Sequence, residues 1–116
     1  MLIQKQELLP EVREHMRGGD GAVQLFQTPQ EKLPAGTRLS AVIELPPGAS
    51  IGAHAHEKET EVFHFIAGEG EVDDDGTVRA VRPGDTLTTG GGASHGVRNT
   101  GSEPLRFFAI IVLNAD

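Results

Sequence analysis

The stretch Gly48-Ala-Ser-Ile-Gly-Ala-His54-Ala-His56-Glu-Lys-Glu-Thr-Glu61-Val-Phe-His-Phe-Ile-Ala-Gly68 decides how this chain is read. Glycines bracket it, histidines alternate at 54 and 56, and phenylalanines alternate at 63 and 65 beyond a polar turn. Period-two alternation is the mark of strands, whose side chains point to opposite faces in turn. Residues two apart on a strand share a face at a spacing of about 6.6 Å, so His54 and His56 aim both imidazoles at one point. The turn 57–60 then brings the chain back, and Glu61 enters the antiparallel neighbour on that same face. On this count the inward residues are Ser50, Gly52, His54 and His56 on one strand, and Glu61, Phe63 and Phe65 on the next.

A second block, Gly84-Asp-Thr-Leu-Thr-Thr-Gly90-Gly-Gly92-Ala-Ser-His95-Gly-Val-Arg-Asn99, follows after only fifteen residues, 69–83. It supplies His95, expected from across the barrel, with Val97 and Asn99 behind it. Phe63, Phe65, Ile43 and Val97 form an apolar shell around the polar quartet, and Asn99 is placed to orient His95 or its loop by hydrogen bonding. Three imidazoles and one carboxylate converging from short strands are a mixed nitrogen–oxygen donor set for a metal ion.

Outward from these blocks the same strand pattern continues. Leu39, Ala41 and Ile43 share a face of a strand that ends at Pro46-Pro47-Gly48, a turn set by the φ preferences of proline and glycine. Asp75-Gly76 makes a hairpin, and Pro83-Gly84 and Thr100–Glu103 make further turns. The aspartates at 73–75 lack the twelve-residue pattern of a calcium loop. Roughly nine short strands joined by tight turns predict an all-β barrel, closed or two-sheeted and antiparallel, from residue 37 to 116. Residues 1–36 read as an irregular N-terminal arm of the same domain, with helical turns over Gln6–Arg17 interrupted at Pro10 and a short strand at Val23–Gln27.

The composition narrows the class. One hundred and sixteen residues make a single domain with one core, and that core is aliphatic, because there is no Trp or Tyr and only five Phe. Fifteen Gly and seven Pro suit many turns. A formal charge of −7 without a basic stripe argues against nucleic acid. The absence of cysteine removes disulfides, thiolate metal sites and a Cys nucleophile. The N-terminus has no long apolar run, and the longest apolar run, Phe107–Leu113, is far short of a membrane span; the expectation is a cytoplasmic protein. That run is apolar on both faces, and with Val62 and Ile66 it calls for cover on both sides, which a two-fold homodimer would provide.

The two blocks resemble the paired signature motifs of the cupin superfamily. The first matches at every defining position; the second carries Gly90 where the family has proline. The short gap, with Met16-Arg17-Gly18-Gly19 and Pro47-Gly48-Ala49-Ser50-Ile51-Gly52, is similar to compact bacterial single-barrel members of the mannose-6-phosphate-isomerase-like kind, some of them linked to oxalate. The resemblance implies a jelly-roll β-barrel, usually dimeric, with His54, His56, Glu61 and His95 as metal ligands. Replacing Gly90 by proline is expected to stabilise the fold by about 0.4–1 kcal/mol where its φ is compatible.

Four protein ligands leave two positions open on an octahedral divalent ion, favouring manganese or iron, with zinc or nickel as further candidates. Two open positions on a residual positive charge suit a small bidentate anion, such as oxalate or another oxo acid, for Lewis-acid or oxidative chemistry of the decarboxylase or oxygenase kind. A non-catalytic metal–anion binding module and a sugar-binding or sugar-isomerising barrel are the alternatives. Around the quartet, Arg38 is read as an exposed ion-pair residue able to reach an anion at the mouth. Glu57 and Glu59 are read as solvated turn residues, and His15 and His64 as surface groups.

Overall fold

The computed structural model describes residues 1–114 and is built of ten strands and three single 3₁₀ turns. The strands are β1 (Leu9–Glu14), β2 (Ala22–Gln27), β3 (Thr37–Leu45), β4 (Ser50–Ala55), β5 (Glu59–Ala67), β6 (Gly70–Asp74), β7 (Thr77–Val81), β8 (Thr86–Gly90), β9 (Ser94–Asn99) and β10 (Leu105–Leu113). They form two antiparallel sheets, one of six strands in the order β1-β2-β3-β10-β5-β8 and one of four in the order β4-β9-β6-β7. No helix among the described residues is long and apolar enough to cross a membrane.

The core follows from side-chain parity read across the six-stranded sheet. Leu25, Ile43, Phe107 and Phe65 stand opposite one another in register and form one fully buried row. The next row is Gln27, Ala41, Ala109, Phe63 and Leu87. The row after that is Leu39, Ile111, Glu61 and Thr89. The interior thus grades from aromatic and aliphatic to polar along the barrel axis, and the polar end is where the histidines lie. Burying each of the large apolar side chains contributes about 1.5–3 kcal/mol, so the phenylalanine rows hold the two sheets together beneath the polar end.

The arm differs from its sequence reading. Residues 9–14 form β1 rather than helical turns, paired along its whole length with β2, from Leu9 opposite Gln27 to Glu14 opposite Ala22. β1 is an outer edge strand, where Pro10 removes no hydrogen bond from the sheet interior. Five of its six residues are exposed, so no buried face writes alternation into its sequence. The arm therefore extends the six-stranded sheet sideways and leaves the outer face of β10 open. On that face Phe108 and Ile110 are half-buried and Val112 is exposed.

Candidate metal centre

The quartet predicted from the sequence is brought together, by strand relationships that differ from the expectation. β4 and β5 are not hairpin partners: they lie in opposite sheets, so the segment 56–58 is a corner crossing between them. The immediate neighbour of β4 is β9, with His54 directly opposite His95, and Glu61 is the residue that arrives from across the barrel. Lys58, with φ of 57°, takes the left-handed conformation at this corner.

The register of β4 carries a second correction. Pairing with β9 shifts between Ile51 and His54, so the strand bulges there and the side-chain phase changes. Ile51 faces the interior with His54 and His56, in place of the expected Ser50 and Gly52. Ser50 is buried instead against the arm, its hydroxyl accepting from the Asp20 backbone N–H at 2.8 Å. Gly52 lies so close to the Arg17 carbonyl that a Cβ has no room. A Cβ on Gly96, beside His95, would lie 3.1 Å from the β4 backbone. These close approaches are what the glycines around the site make possible.

One nitrogen or oxygen atom from each of His54, His56, Glu61 and His95 lies within 4.8 Å of the other three, close enough to share a metal ion. The Nε2 atoms of His56 and His95 are 3.0 Å apart, and each lies 3.0 Å from Glu61 Oε1. The outward nitrogens are already engaged. His54 Nδ1–H donates to the Gly52 carbonyl at 2.8 Å, and His56 Nδ1–H donates to Glu59 Oε2 at 2.6 Å. His95 Nδ1 is 3.0 Å from the Thr89 hydroxyl, which accepts from it in the arrangement that leaves Nε2 unprotonated. Lone pairs then converge on one point from three rings and a carboxylate. In a buried pocket that arrangement repels itself without a cation, so the donor set fits a metal ion. Burial pushes the His54 imidazole below its ordinary pKa, against the pull of the Gly52 hydrogen bond; His95, His56 and Arg17 add to the downward push.

Neighbouring groups fix the rings. Phe63 stacks on His95, centroids 4.6 Å apart and planes 20° from parallel. Phe65 meets Phe63 edge-on and packs on Phe107 deeper in the core, and Val97 is buried with it, so neither lines the cavity. Asn99 serves the turn rather than His95: its Nδ2 donates to the Leu45 and Glu103 carbonyls, both at 2.8 Å, and its Oδ1 accepts from the Gly101 N–H. Glu59, read from the sequence as a solvated turn residue, is the acceptor that orients His56. Arg38 grips the same carboxylate through Nε at 3.0 Å and Nη2 at 2.8 Å. That grip holds the Glu59 carboxyl at about 2, well below the ordinary carboxylate value. His64 is exposed and hydrogen-bonds Thr86, away from the quartet.

A cavity of about 250 Å³ opens over the cluster. Its walls carry His54, His56, Glu61, Phe63, Ile43 and Ile111 from the barrel, and the arm adds Arg13, Met16, Arg17, Gln27 and Gln30. Sequence periodicity gives no sign of the arm's share, because those residues reach the site through sheet extension. A larger open cleft, about 630 Å³, lies among the turns around Gly68, Arg82 and Pro104 and includes none of the quartet. The quartet opens onto the smaller space.

Gly90 sits in the β8 ladder opposite Thr60, and a Cβ there would fall onto the Thr60 hydroxyl. The expected stabilisation by proline at this position is therefore overturned.

Comparison with known proteins agrees with this architecture. Residues 41–111 match the family described as Cupin domain. A Thermotoga maritima protein named oxalate-binding protein is 39% identical over 114 residues, covering 97% of this chain and 94% of that one. The crystal structure of a predicted oxalate decarboxylase from Thermotoga maritima superimposes with a TM-score of 0.91 at 38% identity, covering 97% and 99% of the two chains. A cupin 2 conserved barrel domain protein from Salinispora arenicola shares the fold, at a TM-score of 0.67 and 22% identity, over 97% of this chain and 86% of that one. With its ten antiparallel strands, its two motif blocks and their convergence at one end of the barrel, this chain belongs to the cupin family.

Proposed function

We propose that His54, His56, Glu61 and His95 hold one divalent metal ion, and that this centre binds a small carboxylate or oxo-acid anion. The observation that carries the reading is the set of three 3.0 Å separations among His56 Nε2, His95 Nε2 and Glu61 Oε1. Separations of this size fit donors that share one ion at about 2.1 Å, and a nitrogen–oxygen set without thiolate would suit manganese or iron ahead of zinc or nickel, with room for the anion beside it. Such an ion supplies Lewis acidity, or a redox couple, toward a bound oxo acid.

The residues of the chain do the rest. Glu59 and Gly52 hold the His56 and His54 rings by their outer nitrogens, Phe63 and Ile43 keep the floor apolar, and Arg38 brings positive charge to the mouth. Similarity to a protein named oxalate-binding protein supports an anion of this class.

A second reading, binding without turnover, is favoured by the cavity's lining. Its only imidazole and carboxylate groups among the described residues are His54, His56 and Glu61, and no further proton donor of those types faces the anion. The test is calorimetric titration of manganese-loaded protein with oxalate, alongside an assay of oxalate consumption. Binding that His54→Ala abolishes supports the centre, and consumption by the wild type decides for an enzyme. Absence of binding by stoichiometrically loaded protein overturns the anion reading.

The open face of β10 supports a two-fold homodimer. Phe26, Val42 and Phe108 lie side by side in one outward row, and Val62 and Ile110 in the next. A contiguous apolar surface of this kind suits a self-complementary interface.

A further inference from the structure

Three arginines, Arg13, Arg17 and Arg38, line the cavity over the metal-ligating cluster in a chain whose net charge is −7. Two of them are spoken for. Arg13 Nη2 pairs with Glu11 at 2.8 Å, and Arg38 with Glu59 at 2.8 Å. Arg17 makes no ion pair or side-chain hydrogen bond among the described residues. Its backbone is held at φ 53° and ψ 32°, in the left-handed region that disfavours side-chain-bearing residues, directly after His15 and Met16 and before left-handed Gly18. Strained backbone of this kind persists where the surroundings over-determine it and is concentrated at ligand sites. Here the surroundings are the backbone of β4: Gly52 and Gly19 have no Cβ because the two chain segments touch. The contact that anchors the turn is thus the same one that sets Arg17 on the cavity wall beside His54, close enough for its charge to bear on that imidazole.

The cavity of about 250 Å³ runs from the cluster to the arm, so a ligand longer than a two-carbon dianion can touch both.

We propose that Arg17 is the second anchor of this pocket, taking the distal carboxylate of a 2-oxo dicarboxylate whose oxo-acid end faces His54, His56, Glu61 and His95. This rests on the metal–anion reading above and names its ligand class. A guanidinium forks two hydrogen bonds onto a carboxylate, and it does so here without breaking an existing pair, unlike Arg13 or Arg38. Oxalate, lacking a distal group, engages only the cluster end.

The test uses a matched pair of probes that differ in the distal carboxylate, 2-oxoglutarate and 2-oxopentanoate, with oxalate as a third. Each is titrated calorimetrically into manganese-loaded wild type, Arg17→Gln and Arg17→Gly. The expected wild-type preference for 2-oxoglutarate over 2-oxopentanoate is at least tenfold. It falls to within threefold in both variants, while oxalate affinity moves by less than threefold. Arg17→Gly, freed of the left-handed strain, is expected to keep or raise the Tm while losing the preference, which separates recognition from folding. An equal affinity for the matched pair in the wild type, or a preference that survives in both variants, overturns the role of Arg17 and leaves the centre standing if oxalate still binds. Failure of all three anions to bind loaded wild type overturns the anion reading itself, and this role with it.

Discussion

Glu59 Oε2 lies 2.6 Å from His56 Nδ1 while Arg38 closes on the same carboxylate from the other side. A surface arginine is thereby linked to a buried imidazole through one acid. Acceptors of this kind fix the tautomer and angle of a ligating ring, and removing them costs about 10–100-fold in metal affinity. Glu59→Leu, which removes the acceptor, is therefore expected to weaken manganese binding by about that factor in competition titrations against a chelator. Arg38→Met, which leaves the acceptor in place, should weaken it less. An unchanged affinity in Glu59→Leu would remove Glu59 from the site. In the metal-free protein the Arg38–Glu59 pair has a pH signature as well. The carboxyl is depressed in the fold, to about 2, so its stabilisation is complete above the ordinary carboxylate range. It is lost as pH falls from that range through about 2.

Asn99 belongs to the scaffold. Asn99→Ala removes the donors that serve the Leu45 and Glu103 carbonyls and the acceptor that serves the Gly101 N–H. Leaving such buried groups unpaired is expected to lower stability by about 1–3 kcal/mol in urea unfolding. Metal affinity should stay within twofold, and a large loss of affinity with unchanged stability would restore Asn99 to the site.

At Gly90 the side chain of Thr60 occupies the space a Cβ needs. Gly90→Ala is expected to cost about 1–3 kcal/mol by overpacking, and Gly90→Pro at least as much, read as a lower Tm by calorimetry. A higher Tm in the proline variant would mean that β8 relaxes around the ring.

The outer face of the six-stranded sheet predicts a dimer by light scattering at micromolar concentration. Ile110→Glu puts a charge in the middle of the apolar rows beside Val62 and is expected to give a monomer that still binds metal. A wild-type monomer would leave Phe108 and Ile110 exposed and remove the dimer.

The four converging residues were legible because their spacing survives any arrangement of strands: His54 and His56 alternate at strand spacing, with His56 just past the end of β4, and the Gly-bracketed blocks mark His95. Which strands adjoin was not. Three residues, 56–58, join β4 to β5, and a short polar link of that length reads equally as a hairpin or as a corner between sheets. The bulge at Ile51–His54 was hidden for a related reason, since it shifts phase without a sequence marker and so traded Gly52 for Ile51 on the inner face. β1 was missed because an exposed edge strand stabilised by backbone pairing needs no buried face. The arm's arginines were beyond reach until that pairing was known.

The central claim is that one divalent ion sits among His54, His56, Glu61 and His95. Its most direct test is elemental analysis of purified protein reconstituted with manganese and then dialysed, beside Glu61→Ala treated identically. About one manganese per chain is expected in the wild type and a large loss in the variant, with both proteins folded by circular dichroism. Substoichiometric metal in folded wild type, or equal retention by Glu61→Ala, would contradict it.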